Sequence, residues 1–217
     1  MRHKCGCRVL TLTMLLATSW AGAAYAVEGT EGGALNVVVC DSAGVPIQTL
    51  TAAERGASSI FQRIGLRMEW LDCSTAHVTD QKDREWDITW HRPRDPADVV
   101  LEMLPPLRSR DGAHETAGIA RQPGDGSPGV SAGVVYRRAH DLARLGDASE
   151  AQILACLLAH ELGHLLLGPG AHTASGIMQP EWSRADWRAA AWGRLAFDRS
   201  QEERIRSAVL ARLTSRQ

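Results

Sequence analysis

The segment between residues 149 and 168 predicts an apolar helix that carries two histidines, and this helix limits the folds that the chain can adopt. Two overlapping capping boxes lie between residues 147 and 152, so the sequence predicts that the helix begins there. Leucine, isoleucine and alanine dominate the next 15 positions, and a Gly-Pro pair at 168–169 predicts the helix end. A helix this apolar must be buried, so the chain has to build a core around it.

The composition provides enough apolar residues to form such a core. The chain has 217 residues, of which 44% are hydrophobic and 23% charged, which is typical of a soluble globular protein of about one domain. Its formal net charge is −1, so neither nucleic acid nor an acidic membrane surface is expected as a partner. Collagen-like and wholly disordered classes are excluded by 20 glycines and 9 prolines.

The N-terminus has the pattern of a signal peptide, residues 1–26. Basic residues are followed by an apolar run from Val9 to Ala24, and Ala24-Tyr25-Ala26 is a small-x-small cleavage site. We therefore expect one domain, residues 27–217, in a protein that is secreted or periplasmic. No further segment is expected to span a membrane after cleavage, and we expect a monomer.

A strand, a helix and a second strand follow closely on one another. Leu35 to Cys40 is a short apolar run of the kind found in a covered strand. Thr51 and Glu54 form a capping box, which predicts a helix that ends at Gly65. Leu66 to Trp70 alternates like a half-buried strand. This order in so few residues predicts a right-handed parallel βαβ unit.

Weaker patterns predict further elements. Ser200 and Glu203 have capping-box spacing and predict the start of an amphipathic C-terminal helix. Three tryptophans, Trp182, Trp187 and Trp192, are expected to pack the C-terminal region against the sheet. Strands are expected at Trp86–Trp90, Gly118–Ala120 and Ser131–Tyr136, and a surface loop at Gln122–Ser131.

Three cysteines remain after the predicted cleavage. An exported protein lies in an oxidising compartment, where paired cysteines form disulfides. Cys40 and Cys73 follow two strands expected to be parallel neighbours, so they lie at one end of the sheet and are predicted to pair. Cys156 lies inside the apolar helix and is expected to be a small core residue.

The apolar helix contains the pentapeptide His160-Glu161-Leu162-Gly163-His164. Four residues advance about 400° around a helix, so the imidazoles of His160 and His164 project from one face. That arrangement lets both bind one zinc ion, while Glu161, rotated by about 100°, lies beside the metal-bound water. Burying these groups unpaired would cost several kcal/mol, which favours a metal site over a chance match.

A catalytic zinc has three protein ligands and one open position. His172 is the preferred third ligand, because Gly168 to Ala171 can turn the chain back beneath the helix. Glu181 and Asp186 are the alternatives. The remaining histidines are expected to lie on the surface: His77, His91, His114 and His140.

The segment from His160 to Met178 resembles the metzincin group of zinc metallopeptidases. That group combines a His-Glu-x-x-His helix, a glycine turn, a third histidine and a methionine turn beneath the metal. Gly168, His172 and Met178 match those features in order, although the turn to the third histidine is two residues longer here. The helix also resembles that of small secreted bacterial proteins regarded as peptidases.

The resemblance implies an α+β, zincin-like single domain. It would have a small mixed sheet with the N-terminal βαβ unit, the buried active-site helix and C-terminal helices. It further implies a zinc-dependent endopeptidase in which Glu161 is the general base for a zinc-bound water and residues 116–121 contact an extended peptide or protein substrate. The alternative from a different class is a zinc-stabilised binding protein without turnover.

Overall fold

The structure is a computed structural model. It describes residues 34–76, 78–83, 88–107, 117–121, 130–144, 146–168 and 170–215. The predicted signal peptide at residues 1–26 lies outside the described residues, as does most of the predicted loop at Gln122–Ser131.

The described residues form seven strands and five helices: the first strand and the first helix are followed by six further strands and then by four helices. The strands are β1 Leu35–Asp41, β2 Met68–Asp72, β3 Val78–Asp83, β4 Ile88–Pro93, β5 Val99–Leu104, β6 Gly118–Arg121 and β7 Ser131–Val135. The helices are α1 Ile47–Gln62, α2 Tyr136–Ala143, α3 Glu150–Leu167, α4 Arg184–Ala191 and α5 Arg199–Thr214.

Five strands form one sheet in the order β2-β1-β5-β7-β6, and β3 and β4 form a separate antiparallel hairpin. Within the sheet β1 pairs in parallel with β2 and β5, and β5 pairs in parallel with β7. The edge strand β6 is antiparallel to β7. The predicted βαβ unit is thus confirmed, and the domain is a mixed α+β structure with a mostly parallel sheet.

The two faces of the sheet are covered differently. Val37, Val39 and Leu101 point into the main core, which α1, α3 and α5 complete. On the opposite face Val38 and Val100 belong to smaller apolar clusters beneath the hairpin, whose Trp90 is 1% exposed. Because side chains alternate along a strand, successive residues of β1 and β5 point in turn into the main core and towards the hairpin.

Helix α3 is the centre of the helical layer. Of its two predicted capping boxes the one at Ser149 is observed: Ser149 Oγ accepts from the Gln152 backbone N–H at 3.3 Å, and Gln152 Oε1 accepts from Ser149 N–H at 2.8 Å. In length and composition α3 would suit a membrane span, but 72% of it is buried inside the domain, as expected for a core helix. It ends at Gly168, where φ is 80°.

Helix α5 satisfies the carboxyl end of α3 with arginines. Arg204 donates to the Leu167 carbonyl at 2.8 Å, and Arg212 donates to the Leu165 carbonyl at 3.4 Å. Arg212 also donates to the Pro96 carbonyl at 3.2 Å and is only 7% exposed. Cations suit this helix end, because the last carbonyls have no partner within the helix.

The cysteine predictions are confirmed. Cys40 and Cys73 form a disulfide, with their Cα atoms 4.8 Å apart. Cys156 is a free, buried thiol whose pKa is raised to about 12 by burial.

Two predicted helix starts are wrong. Helix α1 begins at Ile47, because the Pro46 carbonyl accepts from the Leu50 N–H at 3.0 Å, so Thr51 lies inside the helix and does not cap it. Helix α5 is capped by Asp198 and not by Ser200: the Asp198 carboxylate accepts from the Gln201 N–H at 2.8 Å. Helix α1 ends at Gln62, three residues before the predicted stop. Gly65, with φ 78°, lies in the turn that follows, where Leu66 N–H donates to the Phe61 carbonyl.

Sequence analysis did not find β3, β5, α2 or α4. Strand β5 is the centre of the sheet and all six of its residues are buried. The strand predicted at Trp86–Trp90 is observed instead as β4, Ile88–Pro93. The predicted strand Ser131–Tyr136 ends one residue early, because Tyr136 begins α2. Trp192 is 68% exposed, so the expectation that it packs against the sheet is wrong.

Candidate metal centre

Helix α3 presents two imidazoles on one face. The Nε2 atoms of His160 and His164 are 3.0 Å apart, and their ring centroids are 4.7 Å apart. Two nitrogens bound tetrahedrally to one zinc at about 2.0–2.1 Å would be separated by about 3.3 Å. The observed spacing therefore fits two ligands of a single ion.

A turn after α3 brings His172 to the same place. The positive φ of Gly168 and Gly170, 80° and 71°, reverses the chain in a conformation that side chains rarely adopt. The His172 ring lies 4.7 Å from that of His164 and 5.4 Å from that of His160. One ligand nitrogen from each of the three histidines lies within 4.8 Å of the others, so this group can hold a metal ion.

The segment that carries His172 is held from behind by α5. Gln201, 2% exposed, donates to the Thr173 hydroxyl at 3.0 Å and to the Ala171 carbonyl at 3.4 Å. The Thr173 N–H donates to the Met178 carbonyl at 3.0 Å. The residues on both sides of His172 are therefore fixed. Sequence analysis missed Gln201 because its partners lie about 30 residues away.

A carbonyl on the next turn orients His160. His160 Nδ1 lies 2.8 Å from the Ile177 carbonyl oxygen, to which it donates, so the lone pair is on Nε2. The Trp182 indole N–H donates to the same oxygen at 3.1 Å. Fixing one ring nitrogen of a ligand histidine is the usual way in which a protein prepares the other for metal. No pattern in the sequence predicted this hydrogen bond of Trp182.

Met178 packs against α3 at Gly163. It is fully buried, and a Cβ built on Gly163 would overlap its sulfur atom. Gly163 therefore allows the turn at residues 176–178 to approach the helix. This close approach explains why the helix tolerates a glycine that costs about 1 kcal/mol relative to alanine.

Glu161 lies beside the histidines, and its buried carboxylate is not fully hydrogen-bonded. Its side chain is 4% exposed, and its Oε2 atom has no hydrogen-bond partner within the described structure. Burial raises the pKa of this carboxyl to about 8. The edge strand β6 lies directly against it, because a Cβ on Gly118 would overlap the carboxylate. An orphaned, buried carboxylate of this kind suits a site that receives a cation.

Two of the three histidines, His160 and His164, are held in the neutral form that a metal needs. Burial lowers the pKa of His160, and the nearby His172 lowers it further. Burial, with His160 and His172 as neighbours, lowers the pKa of His164 to about 4. Neutral imidazoles keep a lone pair available to a metal at pH 7.

The three histidines and Glu161 line an open cavity of about 610 Å³. One wall is the edge strand β6, and the other is formed by the segment from Gln179 to Trp182 together with Trp187 of α4. The indole rings of Trp182 and Trp187 pack edge to face, 5.2 Å apart. These two tryptophans thus line the cavity, contrary to the expectation that they pack against the sheet.

The two alternative ligands are placed differently. The Asp186 carboxylate caps α4, where it accepts from the Ser183 N–H at 2.8 Å. Although partial burial opposes it, hydrogen bonds from Ser183 and Gln179 lower the pKa of Asp186. Glu181 is an exposed residue on the cavity wall, outside the cluster of three histidines.

The other histidines differ in their surroundings. His140 is partly buried and lies 3.3 Å from Glu150. His91 was expected on the surface, but its side chain is only 20% exposed and lies against the buried Glu102. His77 and His114 lie outside the described residues.

Comparison of the chain with protein-family models, with curated proteins and with solved structures finds no match.

Proposed function

We propose that this protein is a secreted or periplasmic zinc-dependent endopeptidase, with His160, His164 and His172 as metal ligands and Glu161 as general base. The observation that carries the proposal is the orphaned Glu161 carboxylate beside three convergent imidazoles. A purely structural zinc site has four protein ligands and no use for a base. Here three histidines converge on the floor of an open cavity, which leaves room for a substrate group.

Zinc at this site would supply a Lewis acid that acidifies a coordinated water and polarises the substrate carbonyl. Glu161 accepts the proton of the attacking water on a carboxylate oxygen and later donates it to the nitrogen of the leaving amine. Its raised pKa, about 8 in the metal-free protein, suits a group that has to hold a proton between these steps. His160 and His164 would hold the ion through Nε2, with the Ile177 carbonyl orienting His160.

The substrate class follows from the walls of the cavity. Among the described residues strand β6 is the edge of the sheet, hydrogen-bonded to β7, and Gly118 lies against Glu161. An extended peptide can pair with the outer side of such an edge strand and so lie across the base. The zincin-like relationship suggested by the segment His160–Met178 is part of this proposal.

Export is supported by two independent features. The signal-peptide pattern at residues 1–26 predicts it, and the Cys40–Cys73 disulfide suits an oxidising compartment.

The proposal is tested by cleavage of casein and of a mixture of quenched peptides. Wild-type protein loaded with zinc is compared with Glu161→Gln and with the exposed control Glu203→Gln. We expect a loss of at least about 100-fold in Glu161→Gln with zinc content unchanged, and activity close to wild type in Glu203→Gln. If zinc-loaded wild type cleaves none of these substrates, the alternative of a zinc-stabilised binding protein is favoured.

A further inference from the structure

A second group of potential metal ligands lies on the opposite face of the sheet from α3. Cys40 of β1 is the register neighbour of Glu102 in β5, and Cys73 follows β2. His91 of the hairpin strand β4 covers them. The two sulfur atoms and a ring nitrogen of His91 all lie within 4.8 Å of one another.

Glu102 is the unusual member of this group. It lies at the centre of the sheet with 0% exposure, where a carboxylate is costly unless it is paired. Its oxygens lie 2.9 and 3.1 Å from His91 Nδ1, and Oε1 also accepts from the His91 backbone N–H at 2.6 Å. A buried pair of this kind is weak evidence for a role in stability, because apolar replacements of buried ion pairs are often neutral; a role in binding is the other explanation.

The pair orients the imidazole of His91. With Nδ1–H donated to Glu102, the lone pair is on Nε2, which is then the nitrogen available to a ligand. A carboxylate behind a histidine is the common supporting arrangement in zinc sites. Asp80 Oδ1 lies 3.6 Å from Nε2, and the Asp80 side chain is 74% exposed and has room to move. Two sulfurs, one imidazole and one carboxylate make a set of four zinc-type ligands.

We propose that Cys40, Cys73, His91 and Asp80 form a redox-gated metal site, closed by the disulfide and opened to a zinc-type cation by reduction. A dithiol reductant transfers two electrons to the Cys40–Cys73 bond, which breaks to give two thiols while the reductant becomes a disulfide. Binding of the divalent cation then releases the two thiol protons. In the reverse exchange the disulfide form of the reductant takes up the two electrons and two protons, the Cys40–Cys73 bond re-forms, and the cation is released. The site is separate from the histidines of α3 and does not depend on the proposed peptidase activity.

The site is tested with cobalt in protein that lacks the other candidate ligands. His160→Ala and His164→Ala remove the α3 histidines, and Cys156→Ala removes the third thiol of the domain. Cobalt is titrated into the oxidised form and into the form reduced with a phosphine, which adds no thiol. We expect one cobalt per chain in the reduced form, with a thiolate-to-cobalt charge-transfer band, and none in the oxidised form.

Single substitutions distinguish the roles of the residues in this group. We expect Cys40→Ser to abolish the band, and Glu102→Gln to weaken cobalt binding about 10–100-fold while the band remains. The exposed Glu69→Gln is the matched control and should leave the affinity unchanged. Glu102→Gln can also loosen the hairpin. Asp80→Ala changes an exposed residue, so it should weaken cobalt binding while the circular dichroism spectrum stays that of the folded protein.

The proposal is overturned if the reduced form binds no cobalt, or binds it without the charge-transfer band. It is also overturned if reduction unfolds the domain and added zinc does not restore the folded circular dichroism spectrum.

Discussion

Gly118 of the edge strand lies so close to Glu161 of α3 that a side chain at residue 118 would occupy the space of the carboxylate. This contact joins the edge of the sheet to the proposed base. It explains a glycine in a strand, where glycine is otherwise unfavourable.

We expect Gly118→Ala to lower kcat/KM by at least about 10-fold, because the added methyl group displaces Glu161 or moves β6, and small misplacements of a catalytic group are costly. Zinc content should not change. Ala120→Gly, on the same strand and also lining the cavity, removes volume and should change activity far less. Wild-type kinetics in Gly118→Ala would contradict the assignment of Glu161 as the base.

The contact between Gly163 and Met178 predicts an effect on stability. Alanine normally stabilises a helix by about 1 kcal/mol relative to glycine. Here the new Cβ would overlap the Met178 sulfur and come 3.1 Å from the Phe197 ring, so we expect Gly163→Ala to lower the free energy of unfolding by about 1–3 kcal/mol. Urea unfolding measures the change, and Met178→Val in the same chain should recover part of it. A more stable Gly163→Ala protein would refute this packing.

The raised pKa of Glu161 predicts how stability depends on pH in the metal-free protein. Below the unfolded pKa, near 4.5, both states hold the proton and burial carries no ionic penalty. Between pH 4.5 and about 8 the unfolded chain loses the proton while the folded protein keeps it, so stability falls as pH rises and levels off above 8.

Glu161→Gln removes this dependence. We expect it to leave stability unchanged at pH 4 and to raise it increasingly towards pH 8, by on the order of 3–5 kcal/mol. Urea unfolding in the presence of a chelator measures the difference. A stabilisation equal at all pH values would mean that the carboxyl titrates normally.

For Arg212, which does not line the cavity, we expect a large effect on stability. It is 7% exposed and donates to the Leu165 and Pro96 carbonyls, and burial lowers its pKa. We expect Arg212→Met to lower the free energy of unfolding by about 2–3 kcal/mol, because these carbonyls lose a charged donor. Arg199, whose side chain is 92% exposed, is the control: Arg199→Met should change stability by less than about 0.5 kcal/mol.

Local patterns predicted those elements whose signal lies within the element itself. The capping box of α3, the parallel pairing of β1 with β2 and the Cys40–Cys73 disulfide all follow from residues in the elements concerned. Strand β5 was missed because Glu102 interrupts its apolar run, and the partner that allows its burial, His91, belongs to the hairpin. Short helices such as α4 contain too few residues to show a period.

The candidate site was predictable in part. The spacing of His160 and His164 places their rings on one face of any helix, and the glycines after α3 favour a return of the chain. The contacts that fix this turn and the neighbouring Glu161 come from residues that are distant in the sequence. Gln201 holds the segment around His172, and Gly118 covers Glu161, neither of which is visible without the fold.

Metal content tests directly whether the three histidines hold one ion. Purified protein, kept oxidised and dialysed against zinc, is analysed by mass spectrometry of its metals beside His160→Ala, His164→Ala and His172→Ala, with the separately placed His140→Ala as control. We expect one zinc per chain in wild type and in His140→Ala, and a loss of zinc affinity of at least about 10-fold in each of the other three variants. No bound zinc in wild type, or full zinc affinity in His160→Ala and His164→Ala, would show that these histidines do not hold an ion together.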